Sequence, residues 1–310
     1  MPHPICLSTG KDMSRILITG CGGFTGRHLA KQMATLDHEV HAVVHESETR
    51  AIPGAHTIHR CNIVDRAALS HVVRDVAPQK VIHLAAISFV PHGDLDEMYR
   101  TNILGTRYLL GALAASPTPP EAILVASSAN VYGDGGGRFA ETSPIAPFND
   151  YGATKVATET VCHLFDGQLP IILVRPFNYT GRGQSPNFLV PKIVDHARRA
   201  EQEIALGNID VARDISDVRT VIDAYQRLLD TPASYGRTFN ICSGQPTALR
   251  SIVDMVGEIA GNRLQVVVNP AFVRPNEARL LCGDPGLLES VIGPLRHIPL
   301  EQTLRWMLDG

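Results

Sequence analysis

Five short apolar runs mark the first half of the chain: Arg15–Gly20, Glu39–Val44, Lys80–Ala86, Glu121–Ser127 and Pro170–Arg175. Each is rich in valine, isoleucine and leucine without strict alternation, which is how strands buried on both faces read. Between them lie stretches with helical spacing at Gly26–Leu36, Arg66–Val76, Met98–Ala115 and Tyr151–Phe165. Strands alternating with helices predict a parallel, doubly wound sheet joined by right-handed crossovers. After Pro176 the pattern changes. Helices at Val190–Ala200, Val218–Leu229 and Leu249–Ala260 are separated by long loops denser in proline and glycine. The expected architecture is α/β, with a sheet domain over 14–176, to which 214–242 returns. A smaller C-terminal α/β substrate-binding domain takes 177–213 and 243–310.

With 310 residues, 44% of them hydrophobic and 19% charged, the chain has material for more than one core. A net charge of -3 gives no general pull toward nucleic acid or an anionic membrane. No apolar run approaches the ~18 residues that span a bilayer. Residues 1–13 read as a loose polar tail without a secretory apolar core. The six cysteines form no CxxC pair and no metal-ligand spacing. Reduced, buried thiols, no metal and a cytoplasmic location are therefore expected.

Thr19-Gly20-Cys21-Gly22-Gly23-Phe24-Thr25-Gly26 ends the first strand and opens the first helix. Glycines at 20, 23 and 26 suit a tight turn, backbone approach to a pyrophosphate and close helix–strand packing. The helix N-terminus then offers free N–H groups to the phosphates. This strand–turn–helix context predicts a Rossmann-type dinucleotide site. The second strand ends at Val44 and is followed by His45, with no acid at its tip. NADP(H) is therefore preferred, with Arg27 or Arg50 available to a 2′-phosphate. NAD(H) stays open, because Glu46 lies ~20 residues past the glycines, where a ribose-binding acid is expected.

Tyr151 and Lys155 stand four residues apart at the start of a predicted helix, on one face. A neighbouring ammonium favours a phenolate and is expected to lower the tyrosine pKa toward neutrality, suiting Tyr151 for acid–base work. Ser127-Ser128 sits at the tip of the fourth run, where ligands bind in open α/β sheets. Ser128, Tyr151 and Lys155 form the predicted catalytic set.

With these motifs in order, the chain resembles the extended short-chain dehydrogenases/reductases of the nucleotide-sugar branch, from Thr19 to the C-terminus. His83-Leu84-Ala85-Ala86 and Asn102-Ile103-Leu104-Gly105-Thr106 resemble the family's cofactor-flanking stretch and its helix signature. Arg175–Pro186, Gly207-Asn208, Arg213–Arg219, Asn240–Gly244 and Arg274–Glu277 are similar to the family's GDP-6-deoxy-4-keto-D-mannose reductases. The resemblance implies reduction of the C4 ketone of a GDP-4-keto-6-deoxy sugar. Tyr151 would protonate the oxygen, Lys155 would hold the nicotinamide ribose and Ser128 would bond the sugar oxygen. It adds Asn62, Ile63, Leu84, Ala85, Ala86, Asn102 and Pro176 to the cofactor site. Ser128, Asn130, Asn178, Phe188, Lys192, Leu206, Arg213, Arg274 and Glu277 would meet the substrate. It also implies a homodimer through a four-helix bundle of 98–115 and 151–165, with Leu109, Leu113, Val161 and Leu164 outward.

Departures narrow the reading. Asn130 stands where related dehydratases carry a glutamate base, and Ser128-Ala129-Asn130 lacks the cysteine of related epimerising reductases. Thr25 replaces a usual aliphatic residue, and Asn62-Ile63 replaces an acid that often contacts adenine. A nucleotide-sugar 4-epimerase with tightly bound NAD, or a non-catalytic dinucleotide sensor, are the alternatives.

Overall fold

A computed structural model describes residues 13–88, 93–273 and 278–310. All but the last residue of the expected N-terminal tail, and the predicted substrate residues Arg274 and Glu277, lie outside the described residues. Within the described residues, seven strands form the large sheet: β1 (Arg15–Thr19), β2 (Glu39–Val44), β3 (Thr57–Arg60), β4 (Lys80–His83), β5 (Ala122–Ala126), β6 (Ile171–Pro176) and β7 (Thr238–Ile241). Their spatial order is β7-β6-β5-β4-β1-β2-β3, and every neighbouring pair is parallel. The fold is thus a doubly wound α/β sheet of the Rossmann type.

The absence of alternation in the apolar runs has its explanation here. Ile16, Ile18, Ile82, Leu124, Ile172 and Val174 enter one core, while Leu17, Val81, Ile123, Val125 and Leu173 enter another on the opposite face. Helices α1 (Phe24–Thr35) and α6 (Val218–Leu229) cover the first face. Helix α2 (Arg66–Val76), a helix α3 over 95–114 and α4 (Asp150–His163) cover the second. Helix α3 carries a π-helical stretch, Arg100–Gly105, in its middle.

The chain leaves β1 in one direction across the sheet and β4 in the other. The topological switch point therefore lies between the C-terminal ends of β1 and β4, where open α/β sheets bind ligands. Beyond it, strands Asn178–Thr180, Ala212–Asp217, Pro246–Ala248, Leu280–Gly283 and Gly137–Phe139 form a smaller sheet. A further parallel pair joins Glu203–Leu206 to Gln265–Val268. Helices α5 (Leu189–Arg198), α7 (Leu249–Ala260) and α9 (Leu300–Leu308) enclose a third core with these strands, and α8 (Gly286–Ile292) lies against the first. The five described cysteines are buried and free.

Candidate active site

Gly20 turns the chain out of β1 at a φ of +69°, in the left-handed region. A Cβ on it would lie 2.6 Å from the Ala85 nitrogen, so the segment after β4 closes directly on the glycine turn. Gly23 caps α1, and no acidic side chain occupies the helix's first turn. Here the backbone is bare, the helix dipole points outward and the helix's own first turn brings no carboxylate. A dinucleotide pyrophosphate fits this cradle. Gly20, Gly23, Phe24, Thr25 and Gly26 form this turn and the first turn of α1, and Leu84 and Ala85 lie against Gly20.

The His83 imidazole ties β4 to its neighbours beneath the cradle. Its Nδ1 meets Thr19 Oγ1 at 2.6 Å and its Nε2 meets Thr106 Oγ1 at 2.9 Å. Burial, then the Lys155 charge, depress its pKa to about 3, so the ring is neutral. The Asn102 side chain, in the π-helical stretch, accepts from the Ile87 amide and donates to the Ile87 carbonyl and Thr154 Oγ1. Its polar atoms are engaged within the protein. Asn102 shapes the wall of the site and does not itself reach for a ligand, which corrects its expected role. Ile63 is likewise buried, packed under Gly105, and the Asn62 carboxamide accepts from the Val64 amide.

At the β2 end the structure adds a residue the spacing did not reveal. Glu48, not Glu46, approaches the cradle, its carboxylate 2.9 Å from where a Gly22 Cβ would stand. Arg50 grips it at 2.6 Å and Arg27 at 3.1 Å. Hydrogen bonds from Arg50 first, against a smaller effect of burial, hold this carboxyl at about 2. Both arginines foreseen for a 2′-phosphate are therefore engaged with one acid. Gly20, Gly22, Gly23, His45, Ser47, Glu48, Thr49 and Arg50 line one pocket.

Ser128 stands just beyond β5 as the cap of a short 3-10 turn, Ala129–Tyr132. Tyr151 lies in the first turn of α4, which Asn149 caps by accepting from the Gly152 amide at 2.8 Å. Gly152 is the point of contact: a Cβ there would sit 2.8 Å from the Asn130 carbonyl oxygen. That close approach brings the start of α4 to the Ser128 turn, where the Ser128 hydroxyl is near enough to the Tyr151 phenol to favour its ionised form. One turn on, the buried Lys155 Nζ donates to the Ala126 carbonyl at 2.7 Å and lies 5.7 Å from the Tyr151 ring centroid. The structure brings Ser128, Tyr151 and Lys155 together at the switch-point side of the sheet.

Their electrostatics differ from the expectation of a lowered tyrosine pKa. Burial, then the nearby Tyr179 hydroxyl, push the Tyr151 phenol well above its ordinary value, and the Ser128 hydroxyl only partly offsets them. Burial pulls Lys155 down to about 8 against the pull of Glu159. Desolvation dominates at Tyr151, which therefore keeps its proton across the neutral range.

A buried network stands behind this set. Glu159, one turn after Lys155, accepts from Ser127 Oγ at 2.5 Å and from Arg175 at 2.8 and 2.7 Å. Arg175 also donates to Tyr132 Oη at 3.0 Å, and Tyr132 donates to Asn240 at 2.6 Å. Thr25 has a local reason as well: its hydroxyl pairs with Tyr179 Oη at 2.8 Å, and Tyr179 stacks on Phe24. A lone threonine in a glycine motif carries no signal of that partner.

The predicted substrate residues separate into two groups. Phe188 caps α5 and Lys192 follows one turn later, its Nζ donating to the Ala205 carbonyl and lying 4.6 Å over the Phe272 ring. Asn178 is exposed in the smaller sheet, beside Ile215, while Arg213 Nη1 donates to the Ala212 and Ala278 carbonyls. Leu206, by contrast, is buried in the third core with Val190 and Ile252 and leaves almost no surface to flank a base. Half-exposed Phe272 is the ring beside Lys192 that the sequence reading missed. Among the expected outer-face residues, Leu109 and Leu113 pack fully into the sheet and Leu164 is exposed. The outer face of α3 instead shows Leu95, Tyr99 and Leu104.

The model of the NAD dependent epimerase/dehydratase family matches residues 16–242, the span holding the cradle, Ser128, Tyr151 and Lys155. The chain belongs to this family. Within it, the chain is 31% identical to the GDP-6-deoxy-D-mannose reductase of Pseudomonas aeruginosa, over 95% of this chain and 96% of that protein. It is 29% identical to the GDP-6-deoxy-D-talose 4-dehydrogenase of Aggregatibacter actinomycetemcomitans, covering 90% and 91%. The solved structure of RMD from Pseudomonas aeruginosa complexed with NADPH superposes with a TM-score of 0.81 at 29% identity, covering 96% of this chain and 97% of that one. Like other family members, the protein carries oxidoreductase machinery for a nicotinamide dinucleotide. Among the described residues no acid, cysteine and histidine group is arranged to hold a metal, and no helix is long and apolar enough to cross a membrane.

Proposed function

We propose that this protein reduces the C4 ketone of GDP-4-keto-6-deoxy-D-mannose with NADP(H) as preferred cofactor. The product is GDP-D-rhamnose, or GDP-6-deoxy-D-talose if the ketone presents its other face. One observation carries the reading: a half-buried Tyr151, its pKa raised so that it holds its proton, beside Ser128 and Lys155 at the crevice that also holds the glycine cradle. A reductase needs such a proton donor in its resting state. Two relatives that match nearly the whole chain and are named for GDP-6-deoxyhexoses support the substrate class.

Gly20, Gly23, Phe24, Thr25, Gly26 and Leu84–Ala86 hold the dinucleotide, with Lys155 on the nicotinamide ribose. When bound, the reduced nicotinamide supplies the hydride for the ketone carbon. As charge builds on the ketone oxygen, Ser128 donates a hydrogen bond to it and Tyr151 transfers its proton. The Lys155 ammonium stabilises the resulting phenolate until solvent returns a proton. Asn178, Phe188, Lys192, Arg213 and Phe272 form the nucleotide end of the cleft. A 2′-phosphate would have to take the place of Glu48 as the partner of Arg27 and Arg50; the presence of these two cations at the cradle supports NADP(H). The exposed apolar side chains of α3 and Leu164 form the face of a homodimer, checked by the mass in solution.

The second reading, a nucleotide-sugar 4-epimerase with tightly bound NAD, is favoured by the Glu48 carboxylate, which suits the two ribose hydroxyls of NAD. Incubation with NADPH and GDP-4-keto-6-deoxy-D-mannose separates the two. Loss of reduced-nicotinamide absorbance with a GDP-6-deoxyhexose product supports the reductase. No consumption, NAD retained through purification and interconverting nucleotide hexoses would replace it with the epimerase.

A further inference from the structure

The hydroxyl of Ser128 has one proton to give and two lone pairs to fill. In this structure both lone pairs face donors from one residue. The Asn130 backbone N–H donates to Ser128 Oγ at 3.2 Å and the Asn130 Nδ2 donates at 3.0 Å. With its acceptor sites occupied, the hydroxyl can direct its single proton only away from Asn130, toward the phenol of Tyr151 and the cleft. Asn130 is only partly buried, and among the described residues its carboxamide hydrogen-bonds Ser128 alone. The closeness of Gly152 to the Asn130 carbonyl fixes the same turn from its other side.

We propose that Asn130 is a positioning residue that sets the polarity of the Ser128 hydroxyl, making Ser128 an obligate donor, to Tyr151 in the resting enzyme and to the substrate oxygen once substrate is bound. A carboxylate at the same place would do the reverse. It can only accept, so it would draw the Ser128 proton to itself and leave a lone pair facing the developing alkoxide. The amide therefore matters for the sign of its dipole, beyond its shape. For its effect on turnover the inference rests on the reductase reading; its effect on the resting enzyme does not.

The test compares Asn130→Asp, nearly identical in shape, with Asn130→Ala, each in the wild-type and Ser128→Ala backgrounds. At neutral pH, N130D is expected to lower kcat about 30-fold with KM within about threefold, and N130A to lower kcat less. As the pH falls through the new carboxyl's pKa, the N130D defect should shrink, because a protonated acid can donate again. In S128A the Asp substitution should change kcat little, whereas a bare charge effect on Tyr151 would persist. Carbon-13 labelling of the tyrosine Cζ gives a readout without turnover, with Y151F assigning the signal. N130D should move the Tyr151 resonance when Ser128 is present and leave it in place in S128A. A milder effect for Asp than for Ala, or equal shifts with and without Ser128, overturns the proposal. If the resonance behaves as expected but no ketone is reduced, the reductase reading fails and the polarity of Ser128 stands.

Discussion

Glu159 and Arg175 meet as a two-pronged ion pair, at 2.8 and 2.7 Å, with both side chains about 5% exposed. The pair joins α4, which carries Tyr151 and Lys155, to β6 beside the Ser127-Ser128 tip. Removing one partner leaves a buried charge uncompensated. Glu159→Gln is therefore expected to lower unfolding free energy by about 3 kcal/mol, with the double change Glu159→Leu, Arg175→Leu costing less. Denaturant unfolding checks this; equal losses in both variants would mean that the pair is not acting as a unit.

Tyr151→Phe removes the only proton donor proposed for the ketone oxygen while keeping the ring. A fall in kcat of about a thousandfold is expected, with KM nearly unchanged. Steady-state kinetics decide the matter, and retention of a tenth of the activity would remove Tyr151 from the chemistry.

Two pKa values frame the pH profile. Tyr151, held high by burial, stays protonated and sets no limb in the neutral range. Lys155, lowered to about 8 by burial, is an ammonium below that pH and loses its charge as pH rises through it. The plot of kcat/KM, which reports the free enzyme, should fall on the alkaline side with a midpoint near that value. Lys155→Arg, charged at every accessible pH, should abolish that limb, whatever activity it retains. A limb that stays in place in the variant assigns it to another group.

Glu48 occupies the arginines that a 2′-phosphate needs. Glu48→Gln should release Arg27 and Arg50 and raise the ratio of kcat/KM for NADPH over NADH by about tenfold. An unchanged ratio would mean that the arginines do not meet a 2′-phosphate, and a rise that comes only from a lower kcat/KM for NADH would mean that the carboxylate serves the ribose hydroxyls directly.

Gly152→Ala places a methyl group 2.8 Å from the Asn130 carbonyl, against backbone that cannot swing aside. The start of α4 must retreat from Ser128. Turnover should drop about tenfold and the unfolding midpoint should fall as well, since the clash outweighs alanine's better helix propensity. Unchanged kcat would show that the separation of Tyr151 and Ser128 is not critical.

Much of this was legible in the chain. The five apolar runs are the strands β1, β2, β4, β5 and β6, because burial on both faces writes itself as uninterrupted aliphatic sequence. The edge strands were not legible. Thr57–Arg60 offers one aliphatic residue, and Thr238–Ile241 is only four residues long. At the site, Ser128, Tyr151 and Lys155 followed from spacing along local elements. Glu48 and Phe272 did not, because each reaches its place through a loop whose path depends on distant partners. Leu109 and Leu113 were misplaced for a related reason: α3 is apolar on two sides, so periodicity does not say which side faces the sheet. The raised phenol of Tyr151 was hidden too, since desolvation depends on everything packed around it.

The last strand to join the large sheet, Thr238–Ile241, enters beside β6 only after the chain has made its excursion through 177–217. The polypeptide thus crosses repeatedly between the cradle and the cleft wall. No single cut separates a dinucleotide-binding piece from a sugar-binding piece. A fragment ending at Pro176 would expose the whole hydrogen-bonding rim of β6 and lose the α6 helix that covers one face. Shuffling substrate specificity among such proteins by swapping contiguous halves is for that reason a poor strategy, whereas grafting the segments 178–213 and 243–283 between the same fixed strands respects how the molecule is woven.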